Sequence, residues 1–157
     1  MALSTLGIKI GYCVASTAGT APTSGYTELV GIKSIPAIGG APETYESTTL
    51  NETEFKTYVM GLMDTGGSIE LKFNNTDAFQ TAWAALKTAS DTDAALSSPK
   101  GYWFCIIIPG LTKGFFFEGR PAALALSQID VGNVLEASGY VTLTKVKGWD
   151  TAATLSA

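Results

Sequence analysis

The run Tyr102-Trp103-Phe104-Cys105-Ile106-Ile107-Ile108 is apolar at every position and is bounded by Gly101 and Pro109. A strand with one face in water carries a polar residue at every second place. This one carries none, so it reads as a central strand buried on both faces, and the rest of the chain must supply cover on two sides of a sheet. The apolar stretch Tyr102 to Leu111 is far shorter than the roughly 20 residues of a membrane helix, so no membrane role is expected.

Other segments supply the remaining strands. Ser68 to Phe73 alternates cleanly, with Ile69, Leu71 and Phe73 on one face and Ser68, Glu70 and Lys72 on the other. Ile8 to Val14 alternates in the same way. Tyr26 to Ile35 reads as a second strand, separated from the first by the loop-forming stretch Ser16 to Gly25 and ended by Pro36. Phe115-Phe116-Phe117 leads a further strand interrupted by Gly119 and Pro121, and the weak alternation of Ala122 to Ile129 suggests its continuation past a bulge. A last strand is expected over Ala137 to Val146. Asp77 has the character of an N-cap, and Phe79, Ala82, Trp83 and Leu86 follow at helical spacing, so one short helix is expected to end near Ala89 and to pack across an open end or face of the sheet. The expectation is a single domain over 1–157 of mainly β (α+β) class: a β-sandwich or barrel of about seven strands with one helix. Residues 148–157, small and polar, are expected to be a flexible tail, or one held only by assembly.

The segment from Ala41 to Gly66 breaks the pattern. It holds Glu43, Glu46, Glu52, Glu54 and Asp64 against Lys56 alone, so it carries a net −4, and strand periodicity shows only around Phe55 to Val59. An acidic solvated loop would explain the charge. It would not explain Tyr45, Leu50, Phe55, Tyr58, Met60, Leu62 and Met63, which are unfavourable in water and are expected to contact a neighbouring subunit. The composition agrees: 46% of residues are hydrophobic and only 15% charged, with 17 glycines, against roughly 25% charged in an ordinary soluble protein. A β-rich monomer surfaced with Ser and Thr is the plainer alternative; burial against other chains is favoured.

Catalytic chemistry finds no residues to use. The chain has no histidine, which removes Ser-His and Cys-His nucleophile pairs and the commonest metal ligand. Cys13 and Cys105 lie in separate apolar runs without metal-type spacing and read as free thiols suited to a reducing cytoplasm. The acid pairs Glu52/Glu54 and Asp91/Asp93 lie in polar segments and read as solvated charges, and neither Gly39-Gly40 nor Gly66-Gly67 is followed by the Lys-Ser/Thr of a phosphate loop. No enzyme activity, catalytic residue, metal or cofactor is expected. With a net charge of −4 and no polybasic run, sequence-specific nucleic-acid binding is not expected either.

Two stretches together resemble the major tail tube proteins of long-tailed (siphovirus-type) bacteriophages. One runs Tyr45-Glu46-Ser47-Thr48-Thr49-Leu50, then Lys56-Thr57-Tyr58-Val59-Met60-Gly61-Leu62, then Asp64-Thr65-Gly66-Gly67-Ser68-Ile69; the other is the C-terminal strand Ala137 to Gly148. The resemblance implies a virion protein, assembled in the bacterial host cytoplasm, whose subunits form hexameric rings that stack into the tail tube. The long loop over Ala41–Gly66 would reach a neighbouring ring. The implied partners are further copies of the chain, the tail terminator, distal tail and tape-measure proteins, and double-stranded DNA passing non-specifically through the lumen during genome ejection. Glu70 and Lys72 are candidate charges for the lumen or the exterior. A related ring-former (a tail terminator, or the tube of a contractile tail or secretion apparatus) fits the same residues. So, less well, does a monomeric carbohydrate-binding β-sandwich using Tyr102, Trp103 and Phe115–Phe117 as its platform.

Overall fold

The computed structural model describes residues 2–64 and 67–156. Thr65 and Gly66 of the quoted motif, and Met1 and Ala157 at the ends of the expected domain, lie outside the described residues. The chain is mainly β with one helix. In order, its elements are β1 (Lys9–Val14), β2 (Tyr26–Leu29), β3 (Ile32–Ser34), β4 (Thr44–Glu46), β5 (Tyr58–Met60), β6 (Ser68–Asn74), α1 (Asp77–Ala94), β7 (Tyr102–Ile107), β8 (Lys113–Pro121), β9 (Ala125–Leu126), β10 (Glu136–Thr151) and β11 (Leu155–Ser156). Nine of these strands form one sheet in the order β11-β2-β1-β7-β8-β10-β6-β3, with β9 added to β10, while β4 and β5 pair only with each other.

The expected Tyr26–Ile35 strand is two strands. Val30 and Gly31 turn the chain between β2 and β3, with Gly31 at φ 83°, a conformation open to glycine at little cost. Only those two residues separate β2 from β3, yet β2 pairs with β1 and β3 pairs with β6 near the far end of the strand order. The sheet therefore has to curl until its two ends come close, and it becomes an open barrel. Two register shifts in β10, at Leu143/Lys145 and Val146/Gly148, fit this, because bulges bend a strand and raise its twist.

Strand β7 sits mid-sheet between β1 and β8 and is buried on both faces, as its sequence requires. Tyr102, Phe104 and Ile106 enter the barrel core with Leu71, Phe73, Phe117 and Val141. Phe104 and Phe117 stack there at 5.1 Å between ring centroids. Trp103 and Cys105 face the other way, into a second core with Tyr26, Phe116, Ala15, Ala21 and Ala153. That outer cover comes from segments read as loop and tail. Tyr26 Oη donates to Pro22 O at 2.9 Å. Residues 148–151, expected in a flexible tail, complete β10, and β11 pairs in parallel with β2. Burial raises the thiol pKa of both Cys13 and Cys105 above the ordinary value.

Helix α1 packs on the barrel through Phe79, Trp83, Leu86, Ser90 and Asp93. Its N-cap is Thr76 and not Asp77: Thr76 Oγ1 accepts from Phe79 N at 3.2 Å. The helix runs to Ala94 and not to Ala89, because its buried stripe continues through polar residues with tertiary partners. Asp93 Oδ2 accepts from Arg120 Nη2 at 2.8 Å and from Gly101 N at 3.0 Å, and Oδ1 accepts from Lys100 N at 3.1 Å. Arg120 also donates to Ser90 O at 3.0 Å. This clamp ties the end of α1 to the start of β7. The continuation expected over Ala122–Ile129 shrinks to the two-residue β9, and β8 itself runs unbroken through Gly119 to Pro121.

Two predictions follow from this packing. The Trp83 indole lies directly over Gly139 of β10, where an added Cβ would come within 2.6 Å of Cη2. Gly139→Val should cost about 2–3 kcal/mol in urea unfolding, and an unchanged midpoint would refute that seating. For Asp93, burial pushes the carboxyl pKa up, but the hydrogen bonds from Arg120, Lys100 and Gly101 and the charge of Arg120 outweigh it and hold the pKa below the ordinary value. The resulting stabilisation is present above the unfolded-state pKa and fades as pH falls through the folded-state pKa. Asp93→Asn should therefore cost about 2–4 kcal/mol at pH 7, and its deficit relative to the unaltered chain should shrink below about pH 4. A deficit independent of pH would show that the carboxylate charge is not what holds the clamp.

Candidate functional site: an exposed apolar hairpin

The Ala41–Gly66 segment, expected as a long loop, is built around a β-hairpin. Strands β4 and β5 pair antiparallel with Thr44 opposite Met60, Tyr45 opposite Val59 and Glu46 opposite Tyr58. At the base, Glu43 N donates to Leu62 O at 3.1 Å. Toward the tip, Ser47 N donates to Thr57 O at 2.8 Å and Thr57 N to Thr48 Oγ1 at 2.9 Å. Tyr45 Oη donates to Glu43 Oε2 at 2.8 Å, and the Tyr45 ring lies against Gly61, where any Cβ would collide with it. Among the described residues, β4 and β5 pair only with each other and join no strand of the barrel.

All seven predicted contact residues sit on this ribbon or at its root, and all are exposed. Leu50, near the tip, is 108% exposed, Leu62 84% and Phe55 76%. Tyr45, Tyr58, Met60 and Met63 are each more than half exposed. Apolar side chains emerge on both faces: Tyr58 and Met60 on one, Tyr45 and Val59 on the other, following the strand alternation. Lying on its own barrel would cover only one of these faces and leave the other in water. An isolated two-stranded hairpin is marginal in water, and exposed apolar surface forgoes roughly 25 cal/mol per Å². The charge is equally uneven. With one lysine and five acids in residues 41–66, the rest of the chain holds nine basic and nine acidic residues, so the arm carries the entire net charge of −4.

Glu70 and Lys72 lie apart from the ribbon, on the polar face of β6. Glu70 accepts from Ser138 Oγ at 3.0 Å and from Tyr140 Oη at 3.4 Å, and Ser68 bonds Thr142 across the strands at 3.1 Å. Lys72 is exposed. Together with β10 they form a hydroxyl-rich sheet face whose acid is held by neighbouring hydroxyls.

Two exposed apolar features escaped the sequence reading. One is the stretch after β9, where Ile129, Val131 and Val134 are exposed. The other is a groove at the end of the barrel away from α1, lined by Ile8, Ile35, Ile38, Ile108, Phe115 and Trp149 among others. Trp149 is 52% exposed and meets Phe115 edge-on at 5.3 Å. A tryptophan in a mostly small or polar C-terminal stretch was the one available signal for the groove. Among the described residues no cluster of three or more His, Cys, Asp or Glu could hold a metal ion, and no helix is long and apolar enough to cross a membrane.

No protein-family model and no curated protein sequence matches this chain. Its fold is similar to that of a chain in the cryo-EM structure of the anti-feeding prophage baseplate, solved with 6-fold symmetry. The match has a TM-score of 0.58 at 12% identity and covers 94% of this chain and 97% of the other.

The exposure of the arm predicts that it adds nothing to the stability of the barrel. Replacing Leu50 and Phe55 together with Asp should move the urea unfolding free energy by no more than about 0.5 kcal/mol. A loss of several kcal/mol would mean that the arm packs on its own core.

Proposed function

We propose that this chain is a structural subunit of a phage-type tail, and more specifically a tail tube protein that assembles into stacked, hexameric rings and performs no catalysis. The observation that carries the proposal is the arm: a two-faced apolar ribbon, outside its own core, on a fold shared almost end to end with a chain of a 6-fold baseplate structure. A monomer gains nothing from such a ribbon, whereas a subunit buries it against the next copy. Donor and acceptor surfaces then differ, so the contact is head-to-tail and builds rings or filaments. In the tube the lumen would pass double-stranded DNA without holding it, which the lack of any polybasic run favours. The tail terminator, distal tail and tape-measure proteins would be its other partners, in a virion tail assembled in the bacterial host cytoplasm.

The baseplate likeness also favours a second reading, a related ring-former that stops at one ring or belongs to a contractile apparatus. Negative-stain electron microscopy of the purified chain at rising concentration separates the two. Tubes of uniform width are expected for a tube protein, and discrete rings that never lengthen would favour the second reading. Particles that remain monomeric at every concentration would contradict self-assembly. The Leu50→Asp/Phe55→Asp chain should give no stacked tubes.

A further inference from the structure

We infer that the arm is a hinged strap: the ribbon turns as one body about glycine pivots at its two roots, so that its direction is set by what it docks on and not by its own barrel. The ribbon holds itself together. Strands β4 and β5 pair along their length, Glu43 N donates to Leu62 O at 3.1 Å at the base, and the Tyr45 ring rests against Gly61. The barrel in turn holds the chain on either side of the arm. Ile38 packs against the barrel core before it, and Gly67 O accepts from Leu143 N at 2.8 Å after it. A change of direction between the two bodies must therefore fall outside the Glu43–Leu62 base, after Ile38 and before the Gly67 carbonyl.

Glycines stand at both places. Gly39 has φ 88° and Gly67 φ 72°, left-handed values that glycine adopts at little cost. Among the described residues nothing lies within 4 Å of where a Cβ would sit on either, and Gly40 has only Asp64 O, at 4.0 Å. Neither a side chain of their own nor a close neighbour restricts rotation at these positions. An open cleft of 430 Å³ lies between Pro36, Gly39 and Ala41 at the first root and the Ser68–Glu70 stretch of β6, so that root has room to move. A few loop residues that absorb changes in φ and ψ are the usual make-up of a hinge. The consequence for docking is entropic. Immobilising a preformed ribbon fixes the torsions at its roots, whereas ordering a loose loop of this length costs backbone entropy at every residue.

The test is ¹⁵N relaxation with residual dipolar couplings on the full-length chain, at a dilution where sedimentation shows a monomer. Order parameters should be about 0.85 along β7, step down at Gly39-Gly40, hold an even plateau below about 0.6 through residues 44–47 and 57–60, and recover along β6. The couplings of those ribbon residues should fit one frame of their own, scaled down from that of the barrel. Ribbon order parameters equal to those of β7 would show a fixed arm and overturn the inference. Values that fall steadily toward the tip with no step at the root, or couplings that fit no common frame, would show a frayed loop and overturn it as well. Gly40 is not left-handed and has space for a methyl group, so Gly40→Ala should raise the plateau while leaving β7 as it was. An unchanged plateau in that variant would overturn the pivot at this root. Each readout is made on the free chain, so its failure leaves the self-assembly reading standing, and a chain that never assembles would overturn that reading and not this one.

Discussion

Everything in this fold serves the burial of β7 on both faces. Its inward side chains, Tyr102, Phe104 and Ile106, are met by the curled sheet and α1, and its outward ones, Trp103 and Cys105, by a loop and the C-terminal segment. At roughly 1.5–3 kcal/mol for each large apolar side chain fully removed from water, neither cover is dispensable. The curl that closes the first core is made by turning the chain between β2 and β3 across two residues, and the second is closed by β11 pairing with β2. The Asp93–Arg120 clamp then fixes the helix against the start of the same strand.

A barrel completed this way leaves one segment with no place in it. The arm leaves the barrel after β3; among the described residues its strands β4 and β5 pair only with each other, and its large apolar side chains from Tyr45 to Met63 stay in water. The barrel satisfies its own cores, so the energetic incentive for association is concentrated in the arm, in the groove at the same end and in the exposed apolar stretch after β9. The division between a self-sufficient body and an unsatisfied arm suits a subunit that must fold before it assembles.

Much of this was legible in the chain. β6 and β7 were readable because each has a single unambiguous pattern, strict alternation in one and unbroken apolarity in the other. The seven apolar residues of the arm stood out because they sit among acids, where no core strand would place them. What the sequence concealed depended on partners distant along the chain. Ser90 and Asp93 looked like loop because their helical burial is made possible by Arg120, 27 residues beyond Asp93. Asp77 competed with Thr76 for the cap, and only backbone geometry decides between neighbours that can both accept. The split of Tyr26–Ile35 turned on Gly31, which a strand can also contain. The groove was invisible because its walls come from five separated stretches of chain, and Trp149 sat in a stretch whose composition otherwise suggested a free tail.

The central claim is that the arm is the element buried when copies associate. Hydrogen exchange of the backbone amides, compared between dilute monomer and assembled material, tests it most directly. The account predicts that amides of residues 44–60 exchange rapidly in the monomer and become protected on assembly, while those of β7 are protected in both states. Assembly that leaves the arm exchanging as fast as before would contradict it.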